Sequence, residues 1–305
     1  MTKHESQPAN PAEPKMVLIL GASGMLGHML VRVLSPHHRI FGTTSSQHNS
    51  ESPLAQLLDH ESWIGGIDVR MFNRVEELVR EIQPDVVINC VGVIKQKMKR
   101  DDIADAIVIN SLFPHQLAKL CQSNRIRLIH FSTDCVFEGT PGTKKASDIP
   151  NATDLYGTTK RLGEIDYGDS ITIRSSIVGA QISGNESLFQ WAISQKGKGI
   201  NGFTEAKYSG LTTMTMSKVV LQIMDQFPSI RGIQQISSEA ISKYELLCKL
   251  NVSLDLKLNI CADSTLVCDR TLDGSEFAHQ TGIKIPTWDE MLNEFAADQA
   301  FYRNN

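Results

Sequence analysis

The sequence predicts an α/β protein built on a doubly wound parallel sheet, with a smaller α+β lobe beside it. Three observations predict this. Short apolar runs alternate with amphipathic stretches through the first half of the chain, as strands buried on both faces and their covering helices must. A glycine-rich turn, Gly21-Ala22-Ser23-Gly24-Met25-Leu26-Gly27, follows the first such run at once. The rhythm then changes after Arg174, where Gly, Ser, Asn and Thr dominate as far as Thr213.

In chain order, residues 1–15 hold three prolines and no apolar signal core, and read as a disordered tail. Met16 to Leu20 is a continuous apolar strand. The glycine turn and a helix from His28 to Leu34 come next. Strand, glycine turn and helix together suit a dinucleotide, because glycine lets the backbone approach a pyrophosphate whose charge the helix N-terminus favours. Arg39 to Thr44 is strand two. Its end, Thr43-Thr44-Ser45-Ser46, offers hydroxyls and no carboxylate, which favours NADP(H) over NAD(H). Ser52 to His60 reads as a short helix, Ile67-Asp68-Val69 as a short third strand and Arg74 to Ile82 as an amphipathic helix. Val86 to Cys90 is strand four, after which Val91-Gly92-Val93-Ile94 leaves the sheet. Asp102 to Ser123 is a long helix that Pro114 must kink or break. Strand five begins at Leu128 and strand six is Ile171 to Arg174.

The second half holds helices at Ser187 to Ser194, Met216 to Phe227, Ser242 to Leu250 and Thr287 to Asp298, with a strand at Gly232 to Ser237. The expected division is a dinucleotide-binding domain over 16–175, completed by about 214–237, and a substrate-binding lobe from 176–213 plus 238–305.

The stretch Leu128 to Lys160 carries the chemistry. A buried strand runs into Ser132-Thr133-Asp134, and Asn151 to Asp154 supplies N-cap candidates for a following helix. Tyr156 and Lys160 stand one turn apart on that helix, on the same face. A free phenol has a pKa of about 10, and a nearby cation lowers it toward the range useful for proton transfer. Thr133 can bond an oxygen that gains charge. Gly21, Gly92 and Thr133 all fall at carboxyl ends of strands, where ligands bind in such sheets.

Bulk composition excludes several classes. The chain has 305 residues, 41% of them hydrophobic, enough for one large domain and its lobe. Its 30 basic and 34 acidic residues give a net charge of −4, with no basic excess for nucleic acid. No apolar run approaches the roughly 20 residues that span a bilayer. The six cysteines, Cys90, Cys121, Cys135, Cys248, Cys261 and Cys268, form no Cys-x-x-Cys pair, which favours free thiols in a cytoplasmic protein and no metal site.

The Gly21-x-x-Gly24-x-x-Gly27 turn, the Ser132-Thr133-Asp134-x-Val136-Phe137 strand end and the Tyr156-Gly157-x-Thr159-Lys160-x-x-Gly163-Glu164 helix resemble the extended short-chain dehydrogenase/reductases, and within them the dTDP-4-dehydrorhamnose reductase branch. The resemblance spans roughly Met16 to Asp298. It implies a Rossmann-type domain and an NAD(P)H-dependent reductase of a nucleotide-activated 4-keto-6-deoxy sugar, in deoxysugar or polysaccharide biosynthesis. By that resemblance Tyr156 is the general acid, Lys160 lowers its pKa and bonds the nicotinamide ribose, and Thr133 bonds the substrate carbonyl. Gly21, Ser23, Gly24, Met25 and Leu26 surround the pyrophosphate. Asp68 and Val69 sit beside the adenine, and Cys90, Val91 and Gly92 line the nucleotide. Two departures bear on the sugar: Cys135 stands where the branch usually has Tyr, and Asn201 to Thr213 only loosely matches its substrate loop.

Further candidates for the substrate are Lys95, Asp134, Cys135, Arg174, Lys207 and Arg270. Arg174 suits a structural ion pair equally well. Arg270 could clamp a diphosphate, although a surface role is the simpler reading. Lys95 opens a basic run, Lys95-Gln96-Lys97-x-Lys99-Arg100, that also suits a solvated loop. Trp191 reads as lobe core rather than a stacking platform, and His130 as a packed side chain. The rival functions are a nucleotide-sugar epimerase that retains its cofactor and a non-catalytic NADP-binding subunit, since the regulatory subunit of methionine adenosyltransferase resembles the same branch. The implied partners are a nucleotide sugar and, for assembly, a second copy of the chain as a homodimer.

Overall fold

The computed structural model describes residues 13–95, 98, 102–182, 184 and 186–303. Most of the expected tail, and Gln96, Lys97, Lys99, Arg100 and Ser183, lie outside the described residues.

The strands are β1 (Met16–Leu20), β2 (Arg39–Thr43), β3 (Trp63–Ile64), β4 (Val86–Asn89), β5 (Arg127–Phe131), β6 (Ile171–Arg174), β7 (Ile177–Val178), β8 (Gly199–Phe203), β9 (Ala206–Tyr208), β10 (Leu211–Thr212), β11 (Gly232–Gln235), β12 (Ile241–Ser242), β13 (Asn259–Asp263) and β14 (Cys268–Arg270). The helices are α1 (Gly27–Leu34), α2 (Phe72–Ile82), α3 (Ile103–Ile107), α4 (Phe113–Ser123), α5 (Leu155–Leu162), α6 (Leu188–Ser194), α7 (Thr213–Gln226), α8 (Lys243–Leu254), α9 (Ser275–Thr281), α10 (Trp288–Ala297) and α11 (Gln299–Arg303).

Seven strands form one parallel sheet in the order β11-β6-β5-β4-β1-β2-β3. The chain winds outward from β1 to β3, then returns to place β4 on the other side of β1. That reversal opens a crevice at the carboxyl ends of β1 and β4. Strand β1 is apolar throughout because both its faces are covered. Val17 and Ile19 join the core that includes α1 and α7, while Leu18 and Leu20 join the opposite core with α2 and α4. Short sheets β12-β9-β14, β13-β8 and β10-β7 lie outside the large one.

Two glycines make the turn after β1 feasible. Gly21 adopts φ +84°, a left-handed conformation that costs an L side chain dearly. Gly27 lies so close to the Gly21 carbonyl that a Cβ there would collide with it.

Several expectations need correction. Ile67-Asp68-Val69 is not strand three; the edge strand is the shorter Trp63–Ile64, paired with Gly42 and Thr43. Ile67 and Val69 are buried all the same, so a loop with alternate side chains pointing inward gave the pattern of a strand. Ser52 to His60 supplies only a 3₁₀ turn at Pro53–Gln56. The long helix before β5 carries its expected local break just ahead of Pro114. A π-helical turn at Val108–Leu112 joins α3 to α4 there. Proline cannot donate to the carbonyl four residues back, and wider turns absorb that lost bond. Ser175 to Thr213 holds β7 to β10 and α6, whose Phe189 and Ala192 are fully buried, so it is better packed than its composition suggested.

Candidate active site

A cavity of about 1000 Å³ opens over the carboxyl ends of the sheet strands. One wall comes from the glycine turn (Gly24, Met25, Leu26) and the segment Asn89 to Lys95 after β4. The floor is Phe131 to Cys135 after β5, with Tyr156 and Lys160 of α5. The lobe closes the far side with Trp191, Lys207, Lys243, Leu266, Cys268 and Arg270, among others.

Local chemistry explains how α5 presents its side chains. Asp154 is its N-cap, and its carboxylate accepts from the Gly157 N–H at 2.9 Å. Tyr156 and Lys160 then point to the end of β5. The Lys160 ammonium donates to the Phe131 carbonyl at 2.6 Å. Burial lowers its pKa to about 8, against the opposing pull of Glu164 and Cys90. Thr133 caps the short 3₁₀ turn Asp134–Val136: its hydroxyl accepts from the Cys135 N–H at 3.1 Å and donates to the Asp134 carboxylate at 3.1 Å. Burial pushes the Tyr156 phenol well above its ordinary pKa, and Cys135, Asp134 and Asp154 add to the shift. A hydrogen bond with Thr133 acts in the other direction. The expectation that Lys160 lowers the phenol's pKa is therefore corrected: desolvation dominates, and the Lys160 ammonium is bound to a backbone carbonyl.

Burial also raises the Asp134 carboxyl, with Arg270 opposing, and raises the Cys135 thiol to about 12. Cys135 is thus a protonated thiol at neutral pH, not a nucleophile. Arg270 is half-buried on the cavity wall, donates to the Phe137 carbonyl at 3.2 Å, and faces Asp134 and Cys135. It is no ordinary surface arginine.

Other residues fall differently. Arg174 is 1% exposed and does not line the cavity. Its guanidinium grips Glu164 at 2.7 and 2.9 Å and reaches Gln235 at 3.3 Å. Sealed from solvent and absent from the cavity wall, the side chain cannot reach a substrate, so the ion-pair reading is the correct one. Thr43 and Thr44 are buried, and their hydroxyls are in use: Thr43 accepts from the Gly21 N–H, and Thr44 accepts from the Trp63 indole and donates to the Ser46 carbonyl. Of the hydroxyls expected at the end of β2, Ser45 and Ser46 are the exposed ones. Gly21 and Ser23 belong to the turn but are not in the cavity wall. Nor are Asp68, whose carboxylate is held by Arg70 at 2.6 Å, and Val69, which is buried in the core. Cys90, Val91 and Gly92 do line the cavity. Lys95 pairs with Asp154 at 3.0 Å at the mouth, and Lys207 with Glu205 at 3.6 Å. Trp191 is not core: it is 38% exposed and faces the cavity. His130 is packed as expected, accepting from the Asn89 amide at 3.1 Å.

Asn110 was not foreseen. Buried in the π turn, its side chain accepts from the Val93 N–H at 2.9 Å and donates to the Val93 carbonyl at 3.0 Å, fixing the cavity wall after β4. An asparagine just before an interrupting proline was the available signal.

Among the described residues no helix is long and apolar enough to cross a membrane. The sheet order, the glycine turn after β1 and the cavity over the switch point define a Rossmann-type α/β protein. The chain belongs to the family described as the RmlD substrate binding domain, whose model matches residues 15–185. It is 28% identical over 233 residues to a probable low-salt glycan biosynthesis reductase of Haloferax volcanii, covering 73% of this chain and 74% of that one. It is 25% identical to methionine adenosyltransferase 2 subunit beta of Xenopus tropicalis, over 79% and 73% of the two chains. It is 30% identical to dTDP-4-dehydrorhamnose reductase of Streptomyces griseus over 148 residues, 48% of this chain and 43% of the relative. The fold superposes with a TM-score of 0.77 on the dTDP-4-dehydrorhamnose reductase of Bacillus anthracis in complex with NADP, at 20% identity over 93% of this chain and 99% of that one.

Proposed function

We propose that this protein is an NADPH-dependent reductase of a nucleotide-activated 4-keto-6-deoxy sugar, with NADH as the weaker alternative cofactor. The observation that carries the reading is the meeting of Thr133, Tyr156 and Lys160 on the floor of one cavity, with the glycine turn on one side and Arg270 on the other. The backbone of Gly24 to Leu26 would hold the pyrophosphate, Cys90 to Gly92 would flank the nucleotide, and Lys160 would bond the nicotinamide ribose. Bound NADPH supplies the hydride.

The chain's own residues handle the proton and the charge. A phenol whose pKa is raised by burial keeps its proton at neutral pH. Tyr156 is therefore a donor, as reduction of a ketone requires, and Thr133 bonds the same oxygen by turning its hydroxyl proton from Asp134 to the substrate. Arg270, with Lys207 at the rim, meets the substrate's diphosphate, and an Arg fork suits that group. Lys95, Asp134 and Cys135 border the sugar. The free thiols of the chain suit a cytoplasmic setting.

The test incubates purified protein with NADPH and a panel of UDP- and dTDP-linked 4-keto-6-deoxy sugars, following absorbance of the reduced cofactor. Stoichiometric NADPH loss supports the reductase. Isomerised sugar without NADPH loss replaces it with an epimerase. Tight NADPH binding with no turnover on any sugar leaves the non-catalytic subunit, a reading favoured by the likeness to the methionine adenosyltransferase subunit.

A further inference from the structure

Helix α11 lies far along the chain from the glycine turn yet touches the helix that follows it. His28, in the first turn of α1, is fully buried. Its Nδ1 stands 2.9 Å from the Gly24 carbonyl oxygen, and its Nε2 stands 2.8 Å from the Tyr302 hydroxyl. A carbonyl can only accept, so Nδ1 carries the ring proton. A buried imidazole is neutral, and burial does hold its pKa down at about 4. Nε2 is then a bare acceptor, and the Tyr302 hydroxyl donates to it. Arg32, gripped by Asp298 at 2.6 and 2.7 Å, lies 4.0 Å over the Phe301 ring and 5.9 Å from the centre of the Tyr302 ring. The protons form one directed chain, Tyr302 to His28 to the Gly24 oxygen.

The Gly24 oxygen also accepts the His28 N–H at 3.1 Å. Two donors from one residue therefore fix this carbonyl toward α1. In a trans peptide the carbonyl and the following N–H point in opposite directions. Fixing the Gly24 carbonyl toward the helix turns the Met25 N–H away from it, and Gly24, Met25 and Leu26 themselves line the cavity.

We infer that His28 and Tyr302 are positioning residues for the cofactor: through the Gly24 carbonyl, the C-terminal helix aims the Met25 N–H at the pyrophosphate. The inference rests on the reading that the glycine turn holds a dinucleotide. It makes α11 a part of the cofactor site although it touches no cofactor, and it explains why a buried histidine stands one residue after the third glycine.

The test compares wild type, Tyr302→Phe and His28→Leu by fluorescence titration with two probes. NADPH carries the pyrophosphate, whereas 2′-AMP lacks it and reports the adenosine side alone. Tyr302→Phe keeps the ring and its edge-on contact with His28, so it remains testable if His28→Leu does not fold. The expected result is an NADPH dissociation constant raised about three- to tenfold in Tyr302→Phe, the scale of one hydrogen bond, with 2′-AMP affinity within twofold of wild type. Unchanged NADPH affinity in both variants overturns the inference. Equal weakening of both probes also overturns it, because the effect is then general loosening of the fold. If wild type itself binds no NADPH, the dinucleotide reading fails first and takes this inference with it.

Discussion

The Lys160 ammonium and the Phe131 carbonyl meet at 2.6 Å, tying the middle of α5 to the last residue of β5. This bond brings the helix bearing Tyr156 to the strand end bearing Thr133. It also leaves Lys160 a buried cation beside a backbone dipole, and burial depresses its pKa to about 8.

That depression sets a pH dependence. A lysine whose folded pKa lies below its unfolded value of about 10.4 binds more protons unfolded than folded between the two values. Stability attributable to Lys160 therefore rises as pH climbs from about 8 toward 10.4 and is lowest below 8. Function runs the other way, since the neutral amine is the poorer partner for the ribose. NADPH affinity should fall as pH rises through about 8 in wild type, and should be weak and flat with pH in Lys160→Met. Binding titrations from pH 6.5 to 9.5 measure both; the same slope in the two proteins would remove Lys160 from the cofactor site.

Tyr156→Phe keeps the ring and its packing but removes the proton donor. Positioned general acids contribute about 10² to 10⁴ in rate. The loss should appear in kcat, with the NADPH dissociation constant within about twofold and the melting temperature unchanged or raised, because a buried hydroxyl has been removed. Turnover within about threefold of wild type would sink the acid role.

The fold was legible wherever its signal was local and long enough. Continuous apolar runs named β1, β4, β5 and β6 within a residue or so, and the cap candidates of Asn151 to Asp154 bracketed the start of α5. The edge strand β3 and the lobe strands β7, β9 and β10 are two or three residues long, too short for any period to show. The site divides in the same way. Thr133, Tyr156 and Lys160 were readable because a strand end and a helix face carry them together. The direction of the Tyr156 shift was not, because burial, absent from the sequence, outweighs a neighbouring charge. Trp191 was misread for the same reason: whether a large side chain lines a cavity or fills a core depends on which distant segments meet there.

Cofactor preference turns on a smaller set of hydroxyls than β2 offers. Thr43 and Thr44 are buried and bonded internally, so Ser45 and Ser46 alone remain at the exposed end of that strand. Ser45→Asp adds a carboxylate that can bond ribose hydroxyls and repel a 2′-phosphate. The ratio of NADPH to NADH dissociation constants should rise at least tenfold in this variant. Thr43→Val, by contrast, should leave the ratio alone while loosening the Gly21 turn. Parallel titrations with both cofactors decide it, and a Thr43→Val variant that alone changed the ratio would contradict the assignment.

Arg174 and Glu164 form a buried pair, both side chains nearly sealed from solvent. Glu164 also accepts from the Ser132 hydroxyl at 2.6 Å, so the pair anchors the residue next to Thr133. Removing one member of such a pair leaves an uncompensated buried charge, at a cost of about 3–5 kcal/mol. Arg174→Met should lower stability by that amount, since the Glu164 carboxylate then keeps the Ser132 hydroxyl and the charge of Lys160 nearby but no salt bridge. The double variant Arg174→Met with Glu164→Leu removes both charges and should recover much of the loss, as apolar replacements of buried pairs often do. Denaturant melts of wild type, both single variants and the double variant give the coupling between the two sites. A substrate contact would behave otherwise: Arg174→Met would then melt like wild type while its KM for the sugar rose. Equal stability of the four proteins would return Arg174 to the substrate site.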